Sequence, residues 1–254
     1  APNKQLHARR TQCKRTSAVP VQSAKPAKKA CSSVKKSAPN KQLHAAASAQ
    51  SDDDCIITQS FNPALTQRWS YYYYPVDLEW QQNVCATLGL EHHHPPPRHR
   101  GGGPNVPLTP PDYNHIKDIR GDGNCMFRSF SYVITGSQAQ HMAVRHAILH
   151  HMVEIAHLLY AHHFDLFRSY SSVQEYIEKT EMDEDATWGS DIEIITLSHL
   201  LNTCVFTYNT HDQNWYRFSP HAVDRALPND ITQRAIYLRY LPGHYDVVLR
   251  TLPV

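Results

Sequence analysis

The sequence predicts an α+β fold in which helices precede a mostly antiparallel sheet. Apolar residues recur at helical spacing between Cys125 and Leu200. From Thr203 onward, β-branched and aromatic residues take over in short runs that turn residues separate. The first 50 residues show neither pattern. Helices followed by hairpin-linked strands are typical of a layered α+β domain, and here a long tail without a core is expected to precede it.

Residues 1–50 are predicted to be a disordered basic tail. They hold 11 of the 25 Lys and Arg residues and no Asp or Glu. Because such a segment cannot bury enough apolar surface to offset chain entropy, we expect it to be disordered. The rest of the chain keeps 14 basic and 23 acidic residues, a net charge of −9 with neutral His. The tail is either a solvated extension or a contact for nucleic acid or an import factor.

Residues 51–111 are predicted to be a linker that holds one short helix. An amphipathic helix is indicated by the spacing of Leu78, Trp80, Val84, Leu88 and Leu90. The acidic run at 52–54, followed by Cys55-Ile56-Ile57, resembles a SUMO-interacting motif, and an ordinary linker strand is the alternative. The Pro- and Gly-rich stretch 92–104 is read as linker with a solvated cluster of histidines, namely His92, His93, His94 and His99.

Helix signals follow one another in the first half of the domain. One helix begins at Cys125, where apolar residues start to recur. Ser137 is expected to cap a second helix over 138–161. Ser172 opens a third helix with the form of a capping box, and Asp191 is expected to cap a fourth. These helices are expected to flank the sheet.

The domain is predicted to span residues 112–254 and to end in four strands. Their sequences are TCVFTYN, NWYRFS, AIYLRYL and HYDVVLR. A turn at Pro242 and Gly243 is expected to join the last two strands. Consecutive strands joined by short turns favour antiparallel pairing.

No membrane span, cofactor or metal is expected. No run of roughly 18 apolar residues occurs. The six cysteines are scattered without a Cys-x-x-Cys pair, which favours reduced thiols and an intracellular protein of the cytoplasm, the nucleus or both. The pattern Glu154-Ile-Ala-His157 lacks the second copy that a di-iron site needs, so we read it as a polar helix face.

The stretch 120–130, RGDGNCMFRSF, has the pattern of a reactive thiol. Its first half forms a turn with two glycines, and its second half begins a helix at Cys125. The first turn of a helix offers unpaired N–H groups and a partial positive charge, which favour a thiolate and can later stabilise an oxyanion. A buried cysteine that only packs is the alternative on this stretch alone.

A base for that thiol is indicated far downstream, in the segment GHYDVVL. On a strand, residues i and i+2 face the same side, so His244 and Asp246 point together. A thiol nucleophile needs an imidazole base, and the imidazole needs an acceptor that holds its tautomer. The three residues Cys125, His244 and Asp246 therefore predict a cysteine hydrolase.

Three ordered segments, GDGNCMFRSFSYVITG, WGSDIEI and GHYDVVL, resemble those of the ovarian-tumour (OTU) family of cysteine proteases. The resemblance covers about Ile116 to Leu249. It implies a papain-like OTU fold and a thiol-dependent deubiquitinase that uses no cofactor. Such an enzyme hydrolyses the isopeptide bond after the C-terminal Gly-Gly of ubiquitin, so ubiquitin or polyubiquitin is the implied partner.

The resemblance also implies roles for individual residues. Cys125 matches the nucleophile and His244 the general base. Asp122 matches the acid of the family's cysteine motif, and Asp246 matches the acid that orients the histidine. On geometry we expect Asp246 to be the orienting acid. Asp122 is expected to shape the cysteine loop and the oxyanion hole together with Gly121, Gly123 and Asn124.

Two points qualify the resemblance. Members often have Trp-Gly-Gly where this chain has Trp188-Gly189-Ser190, and we expect Trp188 to pack a helix onto the core. Two other functions stay open: a catalytically weak ubiquitin-binding OTU module, and a nucleic-acid binder that acts through residues 1–50.

Overall fold

The computed structural model describes residues 71–93, 98–224, 226–227 and 232–254. The basic tail and the acidic segment compared with a SUMO-interacting motif lie outside the described residues. Across the part that is described, no helix combines the length and the apolar character needed to cross a membrane.

Seven helices occur among the described residues. Their bounds are α1 Leu78–Leu88, α2 Cys125–Thr135, α3 His141–Glu154, α4 Ala156–Phe167, α5 Val173–Thr180, α6 Asp191–Leu200 and α7 Pro220–Val223. The helix predicted to begin at Cys125 does begin there. Its side chains Phe127, Phe130, Val133 and Ile134 recur at helical spacing and are buried in the main core cluster.

One mixed sheet of five strands packs against these helices. The strands are β1 Ile116–Lys117, β2 Cys204–Asn209, β3 Asn214–Phe218, β4 Ala235–Leu241 and β5 His244–Val248. Their order across the sheet is β1-β5-β4-β2-β3. Only the pair β2 and β4 is parallel among the described strands, and the others are antiparallel. The predicted α+β class with a mostly antiparallel sheet is confirmed.

The long second helix is instead two helices. The expected helix 138–161 is interrupted at Ile155, whose φ of −97° and ψ of 15° are not helical. The break redirects the chain, so that Leu159 and Phe167 of α4 also reach the core. Glu154 is thus the last residue of α3, and His157 lies in α4.

Helix caps differ in detail from the sequence expectations. Ser172 caps α5 as expected, because its hydroxyl accepts from the N–H of Glu175 at 3.0 Å. Asp191 does not cap α6. That role falls to Ser190, whose capping box with Glu193 includes a bond of 2.6 Å from the Ser190 N–H to the carboxylate. The side chain of Glu193 is buried, so the cap is part of the core rather than of the surface.

The described residues before 112 contribute to the packed domain. Gln81 of α1 donates a hydrogen bond to the carbonyl of Val133 in α2 at 2.8 Å, and the Cys85 thiol donates to Ile134 O at 3.4 Å. Upstream of α1, Tyr73 is fully buried in a cluster with strand residues of the sheet. The division into tail, linker and domain stays a prediction, but the linker's described portion packs against the core.

His99 is not part of a solvated cluster, in contrast to the sequence expectation. Its ring lies beside the Tyr73 hydroxyl, with 3.3 Å between Nδ1 and the oxygen. Burial lowers the pKa of His99 to about 4, so the ring is neutral near neutral pH. His94 lies outside the described residues.

Candidate active site

Cys125 occupies the first position of α2, directly after the N-cap residue Asn124. The residue is buried, with 9% of its surface exposed. The apolar face of α2 fixes the helix in the core, and Cys125 lies at the N-terminal end of that buried face. The local pattern of turn and helix therefore determines where the thiol lies.

Burial raises the pKa of the Cys125 thiol above its ordinary value. The backbone N–H groups of Tyr245, Met126 and Cys125 itself act in the opposite direction, because they favour a thiolate. The carboxylate of Asp122 adds to the rise. The start of the helix therefore supports a thiolate but does not lower the pKa by itself. A thiolate at neutral pH needs a further cation, such as the imidazolium form of a histidine.

His244 and Asp246 form a hydrogen-bonded pair on β5. The distance between His244 Nε2 and Asp246 Oδ1 is 3.0 Å. An ionised carboxylate only accepts hydrogen bonds, so the proton of this bond lies on Nε2 and leaves Nδ1 as the basic nitrogen. Because the two residues are two positions apart on a strand, both side chains project from the same face of the sheet.

The Asp246 carboxylate accepts hydrogen bonds from two further groups. The N–H of Ile119 donates to Oδ1 at 3.1 Å, and the Arg239 guanidinium binds Oδ2. Arg239 lies directly opposite Asp246 in the register of β4 and β5, so the ion pair is a cross-strand pair. The Asp246 carboxylate is almost fully buried, and these contacts fix its orientation.

The loop before Cys125 and the start of β5 meet at His244. A Cβ added to Gly121 would lie 3.7 Å from His244 Nδ1, so the loop passes the nitrogen that faces away from Asp246. Ser129 of α2 donates to the carbonyl of Tyr245 at 3.3 Å. The N–H of that same residue supports the Cys125 thiolate. The fold thus brings the Cys125 thiol to the N–H of the residue that follows His244, although Cys125 and His244 lie 119 positions apart in the sequence.

Asp122 has a different set of partners. Its carboxylate accepts two hydrogen bonds from Arg128 Nε at 3.0 Å and one from Arg128 Nη2 at 2.6 Å. It also accepts from the N–H of Asn124 at 3.2 Å. The Arg128 bonds hold the pKa of Asp122 far below its usual range. Within the described residues Asp122 makes no hydrogen bond to His244, so its contacts shape the loop.

Gly123 is required by the path of that loop. Its φ of +88° lies in the left-handed region, and a Cβ there would come within 2.3 Å of the carbonyl oxygen of Ala186. The side-chain amide of Asn124, the next residue in the loop, forms hydrogen bonds through both its NH₂ group and its oxygen. Its NH₂ group donates to Asp122 at 3.3 Å and to Asp185 at 2.9 Å, and its oxygen accepts from the N–H of Ala186 at 3.0 Å.

Trp188 does not pack into the core, which corrects the expectation from the sequence. It is 66% exposed. Its ring lies over the turn before His244, because a Cβ on Gly243 would come within 3.0 Å of it. Gly243 has a φ of +79°, so the turn needs glycine for its backbone as well as for space. The exposed ring therefore forms a wall over the turn that precedes His244.

Among the described residues, one group of three side chains has donor atoms within 4.8 Å of one another, namely Asp118, His244 and Asp246. The Arg239 guanidinium already binds the Asp246 carboxylate, and its charge would repel a cation. We therefore read the group as part of the acid–imidazole pair.

Three residues near the site, Asp118, Arg239 and Arg145, were not predicted from the sequence. Of these three, only Arg239 could have been noticed in the sequence, because it is the single charged residue in the apolar strand AIYLRYL.

Comparisons with known proteins agree with this geometry. The family model described as OTU-like cysteine protease matches residues 120–245. Human OTU domain-containing protein 4 is 26% identical over 154 residues, which cover 58% of this chain and 12% of that protein. Mouse OTU domain-containing protein 1 is 28% identical over 134 residues, 50% of this chain and 26% of that protein. The matches therefore span only 12% and 26% of these relatives' lengths.

Two solved viral structures are also similar. The OTU domain protease of Qalyub virus is 20% identical, with a TM-score of 0.41 over 53% of this chain and 82% of that chain. The Hazara virus OTU bound to ubiquitin is 18% identical, with a TM-score of 0.40 over 52% of this chain and 79% of that chain. With the cysteine loop, the histidine strand and the family model in agreement, this chain belongs to the OTU family of cysteine proteases.

Proposed function

We propose that this protein is a deubiquitinase that hydrolyses the isopeptide bond after the C-terminal Gly-Gly of ubiquitin. Cys125 is the proposed nucleophile and His244 the proposed general base. The observation that carries the proposal is the placement of the His244 ring. Its Nε2 is bound to the buried Asp246 carboxylate, and its Nδ1 faces the loop that ends at Cys125. The substrate class rests on membership of the OTU family.

The proposed reaction begins with proton transfer from the Cys125 thiol to His244 Nδ1. The thiolate attacks the carbonyl carbon of the terminal glycine and forms a tetrahedral oxyanion. The N–H of Cys125 has no acceptor within its own helix, because it lies in the first turn, and is a proposed donor to this oxyanion. The N–H of Asn124 is not available, because it is bound to Asp122.

Collapse of the intermediate breaks the carbon–nitrogen bond. His244 returns its proton to the leaving lysine amine, and ubiquitin stays on Cys125 as a thioester. His244 then takes a proton from water, and the resulting hydroxide attacks the thioester and releases the carboxylate and the thiol. Asp246 orients the ring in both halves and stabilises the imidazolium. We assign Asp122, with Gly121 and Gly123, to the shape of the cysteine loop.

The substrate's tail is proposed to pass between the exposed Trp188 ring and the cysteine loop. Gly121 passes beside His244 Nδ1, and Gly243 lies against the Trp188 ring. We propose that a pair of glycines at the end of the substrate suits this approach, because glycine adds no side chain that could meet the aromatic ring.

Digestion of a panel of diubiquitins of every linkage tests the proposal. The wild-type full chain is expected to cleave at least one linkage, and Cys125→Ser and His244→Gln are expected to cleave none. Wild-type protein that binds diubiquitin but leaves every linkage intact would favour the alternative, a catalytically weak ubiquitin-binding module. The panel would also give the linkage preference, which the sequence does not predict.

The role of residues 1–50 stays a separate proposal. Their 11 basic residues suit contact with nucleic acid or an import factor. Binding to nucleic acid should fall steeply as salt rises, and it should disappear when residues 1–50 are deleted. Intracellular location likewise stays a proposal that fractionation of cells would test.

A further inference from the structure

Arg145, on α3, is fully buried although within the described residues it has no ion pair with a carboxylate. Arginine is almost never fully buried unless it is paired. Its guanidinium lies 3.8 Å from the centre of the Phe127 ring and donates hydrogen bonds only to neutral acceptors. Burial lowers the pKa of Arg145. The negative charges of Glu193, Asp185 and Asp183 act in the opposite direction, although none of these carboxylates is in direct contact with the guanidinium.

The acceptors of Arg145 come from two segments beside the proposed nucleophile. Nη2 donates to the side-chain oxygen of Asn124 and to the carbonyl of Thr187, each at 2.8 Å. Nη1 donates to the carbonyl of Met182 at 2.8 Å. One rigid, planar group therefore joins the N-cap of the catalytic helix to the segment that ends next to Trp188.

Asn124 depends on this contact for its orientation. Its oxygen accepts from Arg145 and from the N–H of Ala186, while its NH₂ group donates to the carboxylates of Asp122 and Asp185. Both N–H donors and both acceptor lone pairs of the Asn124 amide therefore have a hydrogen-bond partner. With the opposite orientation, the oxygen would face two carboxylates and the NH₂ group would face a guanidinium.

We propose that Arg145 is a positioning residue for the hydrolysis: it fixes the Asn124 amide and thereby aligns the Cys125 N–H and thiol with the wall formed by Trp188. This inference rests on the proposed function. The contact acts on the catalytic step rather than on substrate affinity, because Arg145 is buried and cannot touch the substrate. Its loss is therefore expected in kcat, with KM nearly unchanged.

The test measures kcat and KM for a fluorogenic amide of the ubiquitin C-terminus. It compares wild type, Arg145→Lys, Asn124→Ala and the double variant. Lysine keeps the charge but not the planar fork, so Arg145→Lys should lower kcat by about tenfold to a hundredfold with KM within about threefold. In the Asn124→Ala background the same change should cost less than about threefold, because the shared contact is already absent.

Ile148→Val is the control for stability. Ile148 is fully buried on α3, one turn from Arg145, and Ile148→Val should weaken packing without lowering kcat. Equal losses from Arg145→Lys in both backgrounds, or a loss no larger than that of the control, would overturn the inference. If Arg145→Lys does not fold, Asn124→Ala carries the test, and a kcat within about threefold of wild type would overturn it. Wild-type protein that hydrolyses neither the amide nor any diubiquitin would instead refute the proposed function.

Discussion

The Asp246 carboxylate binds His244, Arg239 and the N–H of Ile119 at once. This arrangement keeps the acceptor in place when the imidazole gains a proton. Asp246→Asn can still accept a hydrogen bond through its side-chain oxygen but loses the charge that stabilises the imidazolium. The kcat of Asp246→Asn should therefore lie between those of the wild type and Asp246→Ala. Steady-state hydrolysis by the three proteins would measure this, and equal activity of wild type and Asp246→Ala would rule out the orienting role.

Asp122 is expected to behave differently, because its partners lie in the loop. Asp122→Ala removes the contacts to Arg128 and to the N–H of Asn124. Because these contacts hold the loop that carries the proposed Cys125 N–H donor, we expect a loss in kcat comparable to that of losing one oxyanion donor, roughly a hundred- to a thousandfold. The midpoint of Cys125 alkylation should move slightly downward in Asp122→Ala, because the Asp122 carboxylate adds to the rise of the thiol pKa, and it should move upward in Asp246→Ala. The reverse pattern would exchange the two roles.

The lowered pKa of Asp122 also sets the pH range over which the Asp122–Arg128 pair changes the stability of the fold. Its pairing with Arg128 stabilises the fold fully above the unfolded pKa of about 3.9 and is lost as pH falls through the lower folded value. Above about pH 5 the Asp122 carboxylate stays ionised in both states, so it does not contribute to a pH optimum there.

Cys125 itself gives a test of the thiolate–imidazolium pair. Burial raises the pKa of the lone thiol. In His244→Ala, the alkylation midpoint should therefore lie above the usual thiol value of about 8.5, and in the wild type it should lie well below it. A midpoint that stays low in His244→Ala would mean that the helix N-terminus alone activates the thiol.

At the scale of elements, α2 and β5 could be predicted because their signals are local. A turn followed by helical spacing fixed the start of α2 at Cys125, and the alternation of β5 put His244 and Asp246 on one face. The break at Ile155 could not be predicted, because it depends on where α4 must pack. Trp188 was assigned to the core on its size alone, and its exposure follows from the loop that presents it.

The cysteine loop offers a test of element geometry at Gly123. Gly123→Ala would meet the oxygen of Ala186 at 2.3 Å in addition to its positive φ, so we expect folded protein with severely reduced kcat or loss of the native loop. Gly89→Ala is the matched control: it has a φ of +64° but no atom within 4 Å of an added Cβ. The control should cost about 1 kcal/mol of stability and leave kcat unchanged. Similar kcat in both variants would show that Gly123 is not needed for close packing.

For the whole molecule, the packing of α1 changes where the functional domain is expected to begin. Residues 71–104 bring Tyr73, Val76 and Cys85 into the two core clusters. A fragment 71–254 should keep the kcat of the full chain within about threefold, as expected if the tail is dispensable. A fragment 105–254 should unfold at a lower urea concentration, because burying a single large side chain is worth about 1.5–3 kcal/mol. Equal urea midpoints for the two fragments would show that α1 is not part of the cooperative unit.

The central claim, that Cys125 is a nucleophile activated by His244 toward the ubiquitin C-terminus, is tested most directly by covalent capture. Full-length protein is incubated with ubiquitin that carries a C-terminal electrophile, and the adduct is located by intact mass and peptide mapping. One ubiquitin should be attached at Cys125 in the wild type and in Trp188→Ala, more slowly in the latter. Cys125→Ala should form no adduct, and His244→Ala should react far more slowly than the wild type. Absence of capture by the folded wild type, or capture that persists in Cys125→Ala, would contradict the claim.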